Sequence, residues 1–310
     1  MPSHSSRKVV IAGVAANIAI AACKYGAAAI TSSPAMLSEA FHSTADVGNE
    51  LLLLLGMSRS RRPPDALHPF GHGKLLYFYS LLVAVYIFGV GGGLAAYEGI
   101  RHIRNPEPST RVGWSYAVLA LSAAFDLYSW RISYRELLAR KDPNESTWEE
   151  IINSKDPALF TVFLEDCAGL IGVTLAFLGI FLGHTLHNPY FDSVASLLIA
   201  LLLAAVALFL GRETGALLAG ERTNRSKIRK IREILAADPA VSHISQLLTM
   251  QLGPEQALIT VSLKFHDRLG LAQIESAIAR LKSRIRGIDS GGVQVFIEPS
   301  PPDSRSSRAA

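Results

Sequence analysis

His42 and Asp46 lie four residues apart, and a helix would place both side chains on one face, one turn apart. An imidazole and a carboxylate at this spacing supply half of the ligands of a tetrahedral divalent-metal site. Glu39 and Asn49 extend the same face by a turn in each direction and would support the pair. The pattern therefore predicts a metal site on a helix.

The residues around this pair are apolar. Residues 51–55 are all leucine, the chain is 49% hydrophobic, and its mean hydropathy is +0.27. Ionisable side chains inside a membrane helix are costly, so they indicate a transport pathway or a binding site. The alternative is a buried, hydrogen-bonded polar cluster that only holds helices together.

Six apolar segments have about the length that a membrane-spanning helix needs. They are residues 9–30, 35–57, 75–100, 112–133, 157–183 and 190–210. The sequence therefore predicts an all-α bundle of six transmembrane helices. Five of the segments hold an acidic residue, which a bundle selected only for stability would avoid. The glycines of residues 89–93 predict close helix packing in the third segment.

The charges between the segments predict the orientation of the chain. Lys and Arg are concentrated in residues 1–8, 58–74 and 134–156, with residues 101–111 as a discordant basic loop. The positive-inside rule then places both termini in the cytoplasm, and we expect an integral protein of the cell (inner) membrane. The first segment has no small-residue cleavage site, so it is expected to be a retained span.

Composition excludes several other classes of protein. Two cysteines in 310 residues provide neither a disulfide framework nor a Cys-rich zinc module. The net charge of +4 comes from basic residues clustered between apolar segments, which is typical of a membrane protein rather than a nucleic-acid binder. No nucleophile–base pair or phosphate-binding loop is present, so we do not expect an enzyme.

After residue 210 the hydrophobic pattern changes to that of a water-soluble domain. Residues 211–224 are expected to form a linker, followed by helix, strand, strand, helix and strand at 225–237, 241–251, 257–265, 271–285 and 293–297. The order αββαβ predicts a cytoplasmic α+β domain of ferredoxin-like type. The predicted division is therefore a transport domain at 1–210, this domain at 211–298 and a disordered Pro/Ser-rich tail at 299–310.

These features together resemble the cation diffusion facilitator family, also called the cation efflux family. The resemblance rests on the six spans, the His-x-x-x-Asp pair, the αββαβ domain, the loop RPPDALHPFGHGK at 62–74 and the motif LLAGE at 217–221. It implies proton-coupled antiport of divalent cations, mostly zinc, by a homodimer in the lipid bilayer. It also implies no permanently bound cofactor beyond the transported cation, and no nucleic-acid partner.

The family's transport site takes an [His/Asp]-x-x-x-Asp pair from each of the second and fifth spans. His42 and Asp46 match the first pair, and Asp166 matches the aspartate of the second pair. The resemblance therefore implies that these residues bind the cargo between the second and fifth spans.

One position departs from the family pattern, because Val162 stands where the family has a histidine. Glu165 could supply the missing ligand, as in a subgroup with Glu-Asp here that this chain resembles. Asn49 or a water molecule is the alternative. A site richer in oxygen makes manganese or ferrous iron alternative cargoes to zinc. The missing imidazole also leaves open a membrane sensor or regulator that binds metal without transporting it.

The resemblance implies a second metal site in the loop before the third span. Asp65, His68 and His72 match the family's loop ligands at the same spacing. The alternative is that both histidines cap or pack at the cytoplasmic membrane surface.

The soluble domain departs from family members that bind metal there. Ser245, Ser262 and Phe296 stand at the family's histidine positions, while His243 and His266 are shifted from them. We therefore predict a dimerisation domain without strong metal binding.

Overall fold

The computed structural model describes residues 4–106, 111–140, 155–288 and 292–300, with side chains described throughout except at 4–16 and 139–140. Most of the predicted tail, from residue 301 onward, lies outside the described residues, as do residues 141–154 of the basic loop. The chain divides into two units. The first is Met1–Arg59, Leu75–Ile152 and Pro157–Gly215, and the second is Ser60–Lys74, Asn153–Asp156 and Ala216–Ala310.

Long helices make up the first unit, and they overlap all six predicted apolar segments. They are α1 (His4–Thr31), α2 (Pro34–Ser60), α3 (Lys74–Tyr86), a π-helical segment (Ile87–Gly93) that joins α3 to α4 (Leu94–Arg104), α5 (Gly113–Arg140), α6 (Pro157–Thr185) and α7 (Tyr190–Ala219). Among the described residues, three helices are long and apolar enough to cross a membrane: Lys74–Arg104, α6 and α7. The mainly helical architecture is thus confirmed.

Glycines let the π-helical segment approach α7 closely. A Cβ atom on Gly92 would lie 3.3 Å from the backbone oxygen of Ala200, and one on Gly91 would lie 3.2 Å from the side chain of Leu203. The close packing predicted for residues 89–93 is therefore confirmed at these two glycines, whereas Gly89 has no atom within 4 Å of that point.

The predicted start of the linker at Gly211 is wrong, because α7 continues to Ala219. The hydroxyl of Thr214 donates to the backbone oxygen of Leu210 within this helical extension. The helix ends before Gly220, whose φ of +105° is accessible to glycine at little cost. The charged residues after position 210 lowered the hydropathy but did not break the helix.

The second unit contains a three-stranded sheet and two helices. These elements are α8 (Arg225–Ala236), β1 (Val241–Gly253), β2 (Gln256–Phe265), α9 (Leu271–Arg286) and β3 (Val293–Pro299). The order αββαβ is confirmed, and the ferredoxin-like assignment stays a prediction. β2 lies between antiparallel β1 and parallel β3, so that Val261 pairs with both Leu247 and Ile297.

The core of this unit lies between the sheet and its helices. Alternate residues of β2 are buried, as their predicted alternation requires, and Val261 and Leu263 are fully enclosed. Ile231 and Leu235 of α8 and Leu281 of α9 belong to the same cluster. The parallel pairing of β2 with β3 requires a crossover, which α9 provides.

An ion pair joins the end of α8 to α9. Arg280 donates from Nε and Nη2 to the two carboxylate oxygens of Asp238, at 2.9 and 2.8 Å. One of these oxygens also accepts from the backbone N–H of Ala240 at 3.0 Å. The hydrogen bond from Arg280 is the main cause that lowers the pKa of Asp238 below its usual value.

Candidate metal sites

The predicted pair on α2 consists of a buried histidine and a half-buried aspartate. His42 Nδ1 lies 3.4 Å from Asp46 Oδ1, and His42 is only 3% exposed. Neither ring nitrogen of His42 has a hydrogen-bond partner, and neither does Asp46 Oδ1. Buried polar atoms without partners are costly. A divalent cation is a partner that imidazole nitrogen and carboxylate oxygen accept together.

Glu165 and Asp166 of α6 turn toward different helices. Glu165 Oε1 accepts from Asn49 Nδ2 of α2 at 2.6 Å. Asp166 accepts from the hydroxyls of Ser129 and Ser133 on α5, at 2.8 and 2.6 Å. Adjacent helical residues are about 100° apart, so this divergence follows from their positions in the sequence. Glu165 therefore faces α2, the helix that carries His42 and Asp46.

Glu39 has a different partner from the one expected of a supporting residue. It forms a buried ion pair with Lys24 of α1, with Nζ and Oε2 2.9 Å apart and both side chains at most 2% exposed. Lys24 therefore forms its ion pair with Glu39 and not with Glu165. The other carboxylate oxygen of Glu39 has no hydrogen-bond partner.

Other polar residues of the apolar segments also pair across helices. Asn17 of α1 donates to Glu50 of α2 at 3.1 Å. Asp192 of α7 accepts from the hydroxyl of Ser33 and the backbone N–H of Ala35, at 3.0 and 3.1 Å. These contacts satisfy the buried groups that the apolar surroundings would otherwise penalise.

Sequence reasoning missed Ser129 and Ser133, which hold both oxygens of Asp166. In the sequence these residues are indicated only by their spacing, two serines four residues apart within an apolar segment. That signal is weak, because serine hydroxyls commonly bond to the backbone of their own helix.

The loop residues come together more tightly than those of the helices. Asp65 Oδ1 lies 3.0 Å from His68 Nδ1, and Asp65 Oδ2 lies 3.5 Å from His72 Nε2. One ligand atom from each residue lies within 4.8 Å of the others, a spacing that no other His, Cys, Asp or Glu triplet reaches in the described parts of the chain. His72 is largely buried, and its Nδ1 has no hydrogen-bond partner.

The backbone of the loop prepares Asp65 as a ligand. Its Oδ1 accepts from the backbone N–H groups of His68 and Leu67, at 2.6 and 2.9 Å. The hydrogen bond from the His68 amide is the main cause that lowers the pKa of Asp65. The carboxylate therefore stays ionised to a lower pH than a free aspartate would.

Two glycines shape the loop around His72. Gly71 has a φ of +85°, a left-handed conformation that favours glycine. A Cβ atom on Gly73 would collide with the backbone oxygen of Leu252 at the end of β1. The sequence Gly-His-Gly thus allows the turn and lets the loop lie directly against β1.

In the αββαβ unit, the two shifted histidines belong to no cluster of possible metal ligands among the described residues. His243 and His266 are exposed, and His243 pairs in register with Lys264. The hydroxyl of Ser262 donates to Glu298 at 2.5 Å. The predicted lack of strong metal binding in this domain stays a prediction.

Comparison with known proteins gives the family. Residues 10–219 match the model of the cation efflux transmembrane domain. The chain belongs to the cation efflux family. This confirms the resemblance to cation diffusion facilitators, and the apolar helices are those of an integral membrane protein. Family members are transporters rather than enzymes.

Relatives in the cation efflux family act on more than one metal. The mitochondrial proton-coupled zinc antiporter SLC30A9 of Xenopus laevis is 32% identical over 263 residues, covering 84% of this chain and 47% of the relative. Metal tolerance protein C4 of Arabidopsis thaliana is 27% identical, covering 86% and 58%. The manganese efflux system protein MneP of Bacillus subtilis is 23% identical, covering 96% of both. The chain spans about half the length of the SLC30A9 relatives it matches.

Proposed function

We propose that this chain exports divalent transition-metal cations from the cytoplasm, with zinc as the main cargo, in exchange for protons. Cargo binds between α2 and α6, with His42, Asp46, Glu165 and Asp166 as ligands and Asn49 holding Glu165. The observation that carries the proposal is the set of buried, unpartnered atoms on His42 and Asp46. A bundle without a ligand would leave this cost uncompensated.

The chemistry of these residues suits an ion that must be released. Imidazole and carboxylate bind zinc without the tight cage that several thiolates would form. Each ligand must be deprotonated to bind metal, and histidine changes protonation near neutral pH. A proton that enters from the outer side therefore competes directly with the metal. The SLC30A9 relative is itself named a proton-coupled antiporter.

The topology of the proposed transporter follows from its loops. Six spans with both termini in the cytoplasm of a cell (inner) membrane account for the basic segments at 1–8, 58–74 and 134–156. The transport domain includes α7 up to Ala219 instead of ending at residue 210, and the residues after it, up to 298, form a cytoplasmic domain through which two copies dimerise. The αββαβ order of that domain supports this division.

A second cation site lies in the loop, where Asp65, His68 and His72 bind a divalent metal. Their ligand atoms already lie within 4.8 Å of one another, and the hydrogen bonds to Asp65 keep its carboxylate ionised. Three nitrogen and oxygen ligands leave one tetrahedral position for water.

Manganese is a second candidate cargo, with ferrous iron close to it in chemistry. Val162 removes one imidazole, and the nearby Glu165 adds a carboxylate. Oxygen-rich sites favour manganese more than nitrogen-rich sites do. The MneP relative, which matches over 96% of both chains, is named for manganese efflux.

Uptake into proteoliposomes tests the proposal. The purified chain is reconstituted with a zinc-sensitive dye inside, and initial uptake of zinc or manganese is followed with and without an imposed pH gradient. We expect gradient-dependent uptake that His42→Ala and Asp46→Ala each abolish, with Cys23→Ser as a control at an exposed position of α1. Zinc binding without transport would instead support a membrane sensor.

A further inference from the structure

Two glycines on α6 leave space beside His42, one turn away from Asp166. A Cβ atom on Gly169 would lie 3.4 Å from His42 Nε2, and one on Gly172 would collide with Glu39 Oε1. Both of these polar atoms are buried and have no hydrogen-bond partner. The missing side chain at Gly169 therefore leaves room for one atom beside the unpartnered His42 Nε2, whereas Glu39 Oε1 already fills the place of a side chain at Gly172.

The orientation of the His42 ring indicates which nitrogen is free to bind a cation. Nδ1 lies beside the Asp46 carboxylate at 3.4 Å, whereas Nε2 points toward Gly169. A metal-bound histidine commonly donates its other ring N–H to a carboxylate, which orients the ring. With Asp46 beside Nδ1, the lone pair of His42 lies on Nε2 and is directed away from Asp46.

A carboxylate from α5 borders the same space. Oδ2 of Asp126 would lie 3.6 Å from a Cβ atom on Gly169, and its only described hydrogen bond comes from Ser122 on the same helix at 3.3 Å. The point left by Gly169 is therefore bordered by an imidazole nitrogen on one helix and a carboxylate on another. This is the ligand chemistry that divalent transition metals accept.

We propose that His42 Nε2 and Asp126 form a second cation position in the bundle, with Glu39 Oε1 beside it, which transported metal occupies on its way out. It lies about one helical turn, or ~5 Å, from Asp46 toward the Pro34 end of α2. The position rests on the proposed transport function. His42 then serves the two positions in different tautomers, with Nδ1 free of its proton for metal at Asp46 and Nε2 free of its proton for metal at Asp126.

The ion pair of Lys24 explains how the position can be empty between transport events. Lys24 holds Oε2 of Glu39 at 2.9 Å and leaves Oε1 unpartnered. The ammonium thus balances part of the negative charge while no metal is present. A divalent cation that arrives at Nε2 is attracted by Asp126 and Glu39 but repelled by Lys24, so its residence there is brief.

Zinc binding to the full-length chain in nanodiscs tests this position separately from transport. Asp65→Asn with His68→Ala first removes the loop cluster. Glu165→Gln with Asp166→Asn then disables the position at Asp46. We expect the resulting protein to retain one bound zinc, and we expect Asp126→Asn to weaken that binding at least about tenfold.

Gly169→Ala provides a second variant that does not remove a charge. Its methyl group would occupy the proposed cation point at ordinary contact distances from His42 and Asp126, so the fold should be retained while zinc is excluded. Gly26→Ala is the matched control, because a Cβ atom there would have no neighbour within 4 Å. We expect Gly169→Ala to slow zinc transport by the otherwise native chain at least about tenfold and Gly26→Ala to leave it unchanged.

The outcomes separate this position from the proposed function. Loss of all zinc from the protein that lacks Glu165 and Asp166 charges would overturn the second position, as would native binding and transport in Asp126→Asn. Transport that Asp46→Ala abolishes would still support the exporter in both cases. Conversely, a native chain that binds zinc at Asp126 but moves none across the bilayer would contradict the exporter and retain the position.

Discussion

At the scale of single residues, the adjacent carboxylates Glu165 and Asp166 of α6 face different helices. Glu165 is held by Asn49 on α2, and Asp166 is held by two serines on α5. Val162 lies one turn before Asp166 and offers no ligand atom. The arrangement leaves Glu165 as the α6 carboxylate on the same side as the α2 pair.

We therefore predict that Glu165→Gln impairs transport nearly as much as Asp166→Asn. Glutamine still accepts the hydrogen bond from Asn49, but it lacks the charge that binds a cation. Initial rates for zinc and manganese in proteoliposomes measure the effect. Normal rates for both ions in Glu165→Gln would exclude this residue as a ligand.

A variant with the family's histidine restored at position 162 tests whether transport lost in Glu165→Gln can be recovered. Val162→His combined with Glu165→Gln should recover transport and shift the preference toward zinc, because imidazole nitrogen suits zinc better than manganese. A double variant that remains as slow as Glu165→Gln alone would show that position 162 does not face the cargo.

The sequence revealed some of these residues and concealed others for a physical reason. His42 and Asp46 were predictable because a helix brings residues four apart together. The pairing of Lys24 with Glu39 depends on how α1 lies against α2, which no local spacing encodes. The sequence shows Asp126 as a charged residue in an apolar segment, but only the three-dimensional structure shows that it lies beside Gly169.

At the scale of elements, the contact between the π-helical segment and α7 depends on a glycine that lies close to a backbone atom. We predict that Gly92→Ala lowers stability by about 1–3 kcal/mol, because its methyl group would press on the backbone of Ala200. Gly89→Ala is the control, since nothing lies within 4 Å of the added atom.

Thermal unfolding of both variants in detergent measures this difference. We expect a lower midpoint for Gly92→Ala and an unchanged or higher midpoint for Gly89→Ala, because alanine is the better helix former. Equal midpoints would show that α7 shifts aside without cost.

The ion pair between Asp238 and Arg280 predicts a pH dependence of the soluble domain. The pKa of Asp238 in the folded state lies below its usual 3.8, so its ionised form stabilises the fold. This stabilisation is complete at pH values above about 3.8 and is lost as the pH falls through the folded-state pKa.

Asp238→Asn should therefore lower the urea midpoint at pH 7 but have little effect near pH 2. Gln273→Ala is the comparison on α9, because the side-chain oxygen of Gln273 accepts from the backbone N–H of Gly270 and takes no part in the ion pair. A constant difference between Asp238→Asn and the native domain across this pH range would show that charge is not the cause.

The elements themselves were largely predictable, and the errors occurred where charge and helix propensity disagree. The alternation of β2 and the turn after Gly253 correctly marked the hairpin. The end of α7 was misplaced because Arg212 and Glu213 resemble the start of a soluble linker, although neither residue breaks a helix.

At the scale of the whole molecule, the two units have separate physical bases. The helical unit pairs several of its buried polar groups between helices, such as Lys24 with Glu39, and leaves atoms of His42 and Asp46 without a partner. The αββαβ unit has its own apolar core between the sheet and α8 and α9. A core of this kind supports independent folding.

We predict that residues 221–300 alone fold without metal and bind zinc no more tightly than about micromolar, or about −8 kcal/mol. The reason is the exposed, separated placement of His243 and His266. Circular dichroism in the presence of a chelator tests folding, and calorimetry with zinc tests binding. Tight stoichiometric binding would show that these histidines gather in the dimer.

The π-helical segment that joins α3 to α4 also determines which face of α4 meets α7. A π turn accommodates one more residue than an α turn. Deleting Phe88 would rotate everything after it by about 100°. Two contacts of α4 with α7 would then be lost. Gly99 lies against the side chain of Leu197, and the backbone oxygen of Ala95 accepts from the hydroxyl of Ser196. The contacts of α4 with α7 therefore depend on the extra residue of the π turn, and a chain without it would have to rebuild that interface.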